Sequence, residues 1–168
     1  MGNICRSPTA HAVFQKLVIE HGLKNIIEVD SAGTHAYHLG KKPDARACTI
    51  AAKRGYNLSK LRARKVKSAD FEKFEYILAM DNENFTDLLT ECNEEHKHKI
   101  KLFLEFSTQV EAQEVPDPYY GGLRGFEKVL DLVEDASNGL LNHIEFTHLP
   151  NIIHVALKWM FLMLFIIK

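Results

Sequence analysis

Apolar residues follow two patterns along this chain, helical spacing and short continuous runs. Helical spacing predicts one helix after residue 7, a second over residues 43–54 and a long one after residue 122. Apolar or β-branched runs predict three short strands, at residues 26–29, 76–80 and 100–103. Asp81 is placed to cap a further helix after the second run. Strands that alternate with helices indicate an α/β fold with a parallel sheet.

Polar residues stand in the loops where such a sheet would gather a site. Loops at the carboxyl ends of parallel strands surround one crevice. Loops of this kind are predicted to contain four polar residues: Asn3, Ser31, Asp81 and Asp117. The predicted topology therefore permits these four side chains to meet.

Composition narrows the class of protein. A chain of 168 residues with 46% hydrophobic and 26% charged residues is long enough for one core. The net charge of −1 argues against nucleic-acid binding, although residues 60–67 are locally basic. The three cysteines are widely separated and no secretory signal opens the chain, so we expect a reducing compartment, the cytoplasm. None of the nine histidines has the spacing of a zinc site.

The first eight residues have the composition of a phosphate-binding loop. Gly2 and Asn3 are the residue types that most readily adopt positive φ, so the loop can turn backbone N–H groups toward an anion. Arg6 offers a planar fork of donors to two phosphate oxygens. Ser7 and Pro8 are predicted as the N-cap and the first residue of a helix, whose dipole also favours a dianion.

Asp117 is the second candidate for chemistry, because Pro116 and Pro118 stiffen its loop. A carboxyl group held above a pocket suits a general acid that protonates the leaving oxygen of a phosphate ester. Tyr119 and Tyr120 would form aromatic walls for a flat substrate. Taken alone, Asp-Pro is more often a turn and paired tyrosines are more often packing, so this interpretation depends on the arginine loop as well.

These motifs together resemble the low-molecular-weight protein tyrosine phosphatases. The resemblance covers residues 1–144 and includes Ser-Ala-Gly-Thr at 31–34, Ala-Met-Asp at 79–81 and Asp-Pro-Tyr-Tyr at 117–120. It implies a three-layer αβα, flavodoxin-like fold with a parallel sheet of about four strands, in a phosphatase domain over residues 1–145. It also implies hydrolysis of phosphotyrosine proteins or small aryl phosphates through a cysteinyl-phosphate, with no metal and no cofactor.

The resemblance assigns roles to single residues as well. Arg6 would bind the phosphoryl group and stabilise its developing charge. Ser7 would hydrogen-bond the nucleophilic thiolate, and Asn3 would support the loop through Ser31. Asp117 would be the catalytic acid. Backbone N–H donors would come from Gly2, Asn3, Ile4 and Cys5, and the substrate would contact Tyr119 and Tyr120.

In the same alignment, the nucleophilic cysteine stands one position before Met1 and follows a short apolar strand. The first strand and the nucleophile are then both missing from this chain, so we expect it to be inactive as written. Our hypothesis is that translation has begun at an internal methionine. Cys5 is no substitute, because it directly precedes Arg6 and has no five-residue loop to bring phosphate onto its sulfur.

Residues 146–168 form an atypical apolar tail outside the resemblance. Its apolar run over residues 159–167 is too short to span a bilayer, and extension back to Pro150 brings His154 and Lys158 to membrane depth. We rank a misread or frame-altered tail first, a helix packed on a groove second and a membrane anchor third. The absent first strand leaves an open slot in the sheet, so we expect the chain to fold poorly or to borrow a strand from this tail or from another chain.

Two other functions stay open at this point. A non-catalytic module would bind phosphate or phosphotyrosine through Arg6 and its loop, without turnover. An arsenate reductase of the same fold would need further redox cysteines, so Cys48 or Cys92 would have to reach the site.

Overall fold

The computed structural model describes residues 2–154 and 162–167. Its α-helices are α1 (Arg6–Glu20), α2 (Ala45–Lys53), α3 (Ser68–Lys73), α4 (Asn82–Glu91) and α5 (Gly122–His154). Its strands are β1 (Ile27–Ala32), β2 (Tyr76–Ala79), β3 (Ile100–Leu102) and β4 (Leu162–Ile167). Two 3₁₀ helices, Glu94–Lys99 and Phe103–Phe106, flank β3. The predicted helices and strands of residues 7–141 are all present, with bounds that differ by a few residues.

The four strands form one sheet in the order β1-β4-β2-β3, and every neighbouring pair is parallel. Two hydrophobic clusters cover its two faces. Along β2 the side chains alternate between them, because Tyr76 and Leu78 belong to one cluster while Ile77 and Ala79 belong to the other. The first cluster contains residues of α1, α2 and α5, and the second contains residues of α3 and α4. This arrangement confirms the predicted three-layer α/β fold.

Strand β4 occupies the inner position between β1 and β2. It pairs with β1 from Ile27↔Leu162 to Ala32↔Ile167, and with β2 from Tyr76↔Leu164 to Ala79↔Ile167. The slot that the sequence analysis expected to stand open is therefore filled by residues of the apolar tail. The structure thus shows the strand that the chain was expected to borrow from its tail, while the ranked interpretations of the tail's origin and role stay predictions.

The first part of the tail belongs to a helix. Helix α5 extends over Gly122–His154 and so crosses the expected boundary between residues 145 and 146. Residues 155–161, which contain the start of the apolar run, lie outside the described residues. Among the helices that the structure describes, none combines the length and the apolar character needed to cross a bilayer.

Local signals set most helix ends. The Asp81 carboxylate accepts a hydrogen bond from the backbone N–H of Asn84 at 2.8 Å, so the predicted cap of α4 is confirmed. Gly22, at φ 72°, follows the end of α1, where a left-handed residue closes the helix at little cost.

Helix α3 was not predicted, because its six residues are too few to show an apolar period. Side-chain contacts stabilise it instead. Asp70 accepts a hydrogen bond from the backbone N–H of Lys67 at 2.8 Å and pairs with Arg64 at 2.9 Å.

Replacing Leu164 by proline should unfold the protein at a much lower denaturant concentration. Leu164 lies opposite Val29 on one side and Tyr76 on the other. Proline in an inner strand removes a ladder donor, and the acceptor left unpaired costs about 1–3 kcal/mol. Urea unfolding followed by circular dichroism of the Met1–Lys168 chain measures the change. Leu164→Val is the matched control, since it keeps the backbone N–H; equal midpoints for the two variants would contradict the inner position of β4.

Candidate active site

The loop that precedes α1 lies at the carboxyl edge of the sheet. Two contacts place it there. Asn3 contacts Ser31, near the end of β1, and Arg6 contacts Asp81, two residues beyond the end of β2. Three of the four loop residues expected to converge therefore lie around one point, as the topology of a parallel sheet favours.

Asn3 forms the strained turn of this loop. It is the one non-glycine residue with positive φ, at 54°, in the part of the chain that the structure describes. Its side-chain amide donates to the hydroxyls of Ser7 at 2.8 Å and Ser31 at 3.2 Å, and its carbonyl accepts from the backbone N–H of Arg64 at 3.1 Å. Because Asn3 is 2% exposed, these bonds form away from water and hold the turn in place.

The predicted N-cap at Ser7 is wrong. Helix α1 begins at Arg6, with Cys5 as its N-cap residue and no side-chain cap. The Ser7 hydroxyl instead accepts the amide hydrogen of Asn3, so a tertiary contact has taken the group that would otherwise cap the helix. Pro8 still lies in the first turn, where a missing N–H costs little.

Gly2 is required by a close approach. A Cβ atom built on Gly2 would lie 2.4 Å from Cδ2 of His38, so any larger residue would displace the imidazole. On the other side of the loop, the carbonyl of Ile4 accepts a hydrogen bond from the backbone N–H of Asp44 at 2.7 Å, and the carbonyl of Cys5 accepts one from the Thr9 hydroxyl at 2.8 Å. The loop is thus fixed by neighbours on both sides.

Arg6 is the most informative side chain of the site. It is 1% exposed, and its Nη1 lies 2.6 Å from Oδ2 of Asp81 and 2.6 Å from the backbone carbonyl of Val115. Its Nε and Nη2 are buried and have no hydrogen-bond partner among the described residues. Buried donors normally find a partner, and Nε with Nη2 is one of the two edges on which arginine binds a phosphate or carboxylate in bidentate fashion. The geometry therefore suits an anion at this edge.

The loop of Asp117 is attached to the same arginine. Val115 donates its backbone N–H to the carbonyl of Met80 at 2.8 Å, while its own carbonyl accepts from Arg6. Asp117 follows two residues later, is exposed, and accepts a hydrogen bond from the backbone N–H of Tyr119 at 2.9 Å. This Asx-type turn presents the carboxylate to solvent at the rim of the site.

The two tyrosines lie at the outer surface of this rim. Tyr119 is 55% exposed and Tyr120 is 92% exposed, and their rings meet edge to face with centroids 5.1 Å apart. Arg46 donates to the backbone carbonyl of Tyr119 at 3.2 Å, and its guanidinium lies 5.0 Å from the Tyr119 ring centroid. Two aromatic rings are therefore exposed beside the Asp117 loop, and their role as substrate walls stays a prediction.

Asp44 and Arg46 were missed by the sequence reasoning. Asp44 caps α2 through the backbone N–H of Arg46 at 2.8 Å, and its carboxylate pairs with the Arg46 guanidinium at 2.8 Å. The hydrogen bond from Arg46 lowers the pKa of Asp44 below its usual value. Since Asp44 also contacts Ile4 and Arg46 contacts Tyr119, the pair links the arginine loop to the tyrosine loop. The helix-start signal at Pro43-Asp44 was the only trace of it in the sequence.

Neither Cys48 nor Cys92 has the lowered pKa of a reactive thiol. Burial raises the pKa of the Cys48 and Cys92 thiols. Cys92 packs in the cluster that contains α3 and α4. Among the described residues, no three histidine, cysteine or acidic side chains lie close enough together to hold a metal ion.

Comparison with known proteins agrees with this geometry. The family model described as low molecular weight phosphotyrosine protein phosphatase matches residues 1–148. A low molecular weight protein-tyrosine-phosphatase of Bacillus subtilis is 37% identical over 145 residues, which cover 86% of this chain and 92% of the relative. The human low molecular weight phosphotyrosine protein phosphatase is 41% identical over 130 residues, which cover 77% and 82% of the two chains.

A solved structure is similar over nearly the same range. The protein tyrosine phosphatase of Entamoeba histolytica, crystallised with Hepes in its active site, superposes with a TM-score of 0.84 at 45% identity. The match covers 87% of this chain and 93% of that protein. This chain therefore belongs to the low-molecular-weight phosphotyrosine protein phosphatase family.

Proposed function

We propose that this domain hydrolyses phosphotyrosine in proteins and small aryl phosphates, and that its nucleophile is a cysteine placed directly before Met1. The observation that carries the proposal is the buried fork of Arg6, whose Nε and Nη2 have no partner among the described residues. Family membership supports the reaction class, because the relatives compared above are named tyrosine phosphatases.

Arg6 is oriented before any anion arrives. Asp81 and the carbonyl of Val115 both hold Nη1, so the guanidinium plane is fixed, and its Nε and Nη2 edge has no hydrogen-bond partner among the described residues. Preorganised donors need no reorientation as charge develops on the transferred phosphoryl group. This is the feature that suits the site to phosphoryl transfer as well as to phosphate binding.

Asp117 would supply the proton. In the first step, a thiolate attacks phosphorus, the S–P bond forms, and the P–O bond to the aryl oxygen breaks as Asp117 protonates that oxygen. In the second step, Asp117 accepts a proton from water, whose oxygen attacks phosphorus and releases phosphate and the thiolate. The exposed position of Asp117, two residues from the Arg6 contact at Val115, is consistent with this role.

The rim formed by Tyr119 and Tyr120 suits an aryl substrate. The ring of Tyr119 and the ring of Tyr120 stand nearly perpendicular, at 82°, so they offer two apolar faces to a flat group bound beside the loop. A thiolate nucleophile must also stay reduced, from which we infer that the protein acts in a reducing compartment, the cytoplasm.

The alternatives make different predictions. A non-catalytic module with the same Arg6 fork would bind phosphate in every form of the chain and hydrolyse nothing. An arsenate reductase would need Cys48 or Cys92 in the reaction. The Cys48 thiol instead donates to the carbonyl of Pro43 at 3.8 Å, and Cys92 packs in the cluster that contains α3 and α4. The named relatives favour the phosphatase.

A cysteine added directly before Met1 should restore turnover. We expect the Met1–Lys168 chain to hydrolyse para-nitrophenyl phosphate at least about 10³-fold more slowly than the chain extended by cysteine, because the covalent route is absent without a nucleophile. A chain extended by serine at the same position is the matched control. Equal rates for the cysteine and serine forms would contradict the proposed nucleophile, and phosphate binding without any turnover would favour the binding module.

Asp81→Asn should weaken inorganic phosphate binding and lower stability. Asparagine keeps the N-cap of α4 but removes the charge that holds Arg6, which leaves the buried guanidinium poorly compensated. We expect a loss of about 2–4 kcal/mol in the free energy of unfolding, and phosphate affinity reduced about tenfold. Urea unfolding and isothermal titration measure the two effects.

Asp131→Asn is the control for this prediction, since Asp131 pairs with Arg54 at 2.6 Å but its side chain is 63% exposed. An exposed pair contributes less than about 1 kcal/mol. If Asp81→Asn and Asp131→Asn behave alike, Asp81 does not orient Arg6.

A further inference from the structure

We propose that His11 is a positioning residue of the phosphate loop, which it supports by fixing the direction of a hydrogen-bond chain through Ser31 and Asn3 to Ser7. The inference rests on the proposed function of that loop as the phosphate site. His11 belongs to α1 and was not singled out by any sequence motif.

The hydrogen-bond chain from His11 to Ser7 is continuous in the structure. Nδ1 of His11 lies 3.3 Å from Oγ of Ser31. The same Oγ lies 3.2 Å from Nδ2 of Asn3, and Nδ2 lies 2.8 Å from Oγ of Ser7. Ser31, Asn3 and Ser7 are 5%, 2% and 0% exposed, so water has little access to the bonds among them.

Chemistry sets the direction of these bonds. The amide nitrogen of Asn3 only donates, so the hydroxyl oxygens of Ser31 and Ser7 must both accept from it. The hydroxyl hydrogen of Ser31 then needs an acceptor, and Nδ1 of His11 is in reach. Nδ1 accepts only when the ring is neutral and carries its hydrogen on Nε2. A protonated His11 would donate at Nδ1, and the Ser31 hydrogen would lose this partner.

This hydrogen-bond chain matters because it holds Asn3 in a strained backbone conformation. Asn3 keeps φ at 54°, a conformation that costs non-glycine residues free energy and persists only when neighbours support it. Ser31 takes one of the two amide hydrogens that hold Asn3 there. Ser7 accepts the other, which leaves its own hydroxyl hydrogen available to a further acceptor at the loop. Loss of the His11 acceptor would therefore loosen the turn that shapes the phosphate loop.

Burial favours the neutral form of His11. Burial lowers the pKa of His11, and Arg64 lowers it further, while the Asp30 carboxylate of β1 opposes both; the net pKa lies below the usual value of 6.5. The cavity of about 410 Å³ beside His11 is also lined by Lys60 and by Lys16 and Glu20 of α1, which pair with each other at 3.8 Å. His11 is thus mostly neutral at neutral pH, the form in which Nδ1 can accept a hydrogen bond.

The sign of the pH effect follows from this lowered pKa. Above pH 6.5 the ring is neutral in both the folded and the unfolded chain, and His11 contributes no pH dependence. As the pH falls below 6.5, the unfolded chain binds the proton first, so stability decreases. In the folded chain, the phosphate loop should weaken only when the pH reaches the lowered value.

His11→Ala should weaken inorganic phosphate binding by the Met1–Lys168 chain about three- to tenfold at pH 7.5, the range typical of one buried hydrogen bond. His11→Asn should stay within about twofold of the unmodified chain, because its amide oxygen can replace Nδ1 as acceptor. His21→Ala is the matched control: His21 pairs with Glu145, its side chain is 45% exposed, and no change is expected. Isothermal titration measures all four proteins.

A pH series separates positioning from packing. The ratio of phosphate affinities between the unmodified chain and His11→Asn cancels the ionisation of phosphate itself. We expect this ratio to fall in acid, since only His11 can be protonated there. A ratio independent of pH between 5 and 7.5, with His11→Ala equal to the unmodified chain, would overturn the proposal while leaving the phosphate site intact.

Nitrogen NMR of the His11 ring tests the hydrogen-bond chain without any ligand. The Nε2–H tautomer is expected at pH 7.5, and Ser31→Ala should shift the Nδ1 resonance. An Nδ1–H tautomer would overturn the inference about His11. Failure of the unmodified chain to bind phosphate, with the Nε2–H tautomer present, would instead contradict the proposed function.

Discussion

The burial of one guanidinium controls the carboxyl edge of this sheet. Arg6 is 1% exposed at the first residue of α1, where its charge is held by Asp81 beyond β2 and by the carbonyl of Val115. Burying a cation costs free energy unless its hydrogen-bond donors have partners. The contacts on Nη1 offset part of that cost, and the anion of the proposed function would complete the unpartnered edge at Nε and Nη2. Under that proposal the same side chain serves both stability and anion affinity, so removing either neighbour of Arg6 should affect both.

Much of this fold could be predicted from local patterns. The apolar spacing of α1, the run at β2 and the cap at Asp81 depend on neighbours in the sequence, so they were visible without coordinates. The loop of Gly2 and Asn3 was visible for the same reason, since positive φ and close approach select those residue types. Family resemblance added the connection to Asp117, which no local pattern supplies.

Contacts between distant residues could not be predicted in this way. The backbone N–H of Arg64 donates to Asn3, 61 positions away in the sequence. Arg46, paired with Asp44, contacts Tyr119, but the only local signal at the start of α2 is the N-cap. The Ser7 cap failed because a tertiary partner competed for its hydroxyl. Intrinsic propensity describes the conformation that a segment favours in isolation, whereas these residues form contacts with other segments of the fold.

The inner position of β4 also governs how the molecule can fold. Its residues pair with β1 across a sequence separation of about 135 positions, among the longest that a domain of this size allows. Loop closure over such a distance is slow, and β1 and β2 meet only through the strand between them. During synthesis, residues 27–32 and 76–79 emerge from the ribosome well before their shared neighbour does. Until β4 is made, the facing edges of β1 and β2 stay unpaired, and such edges are open to pairing with other chains.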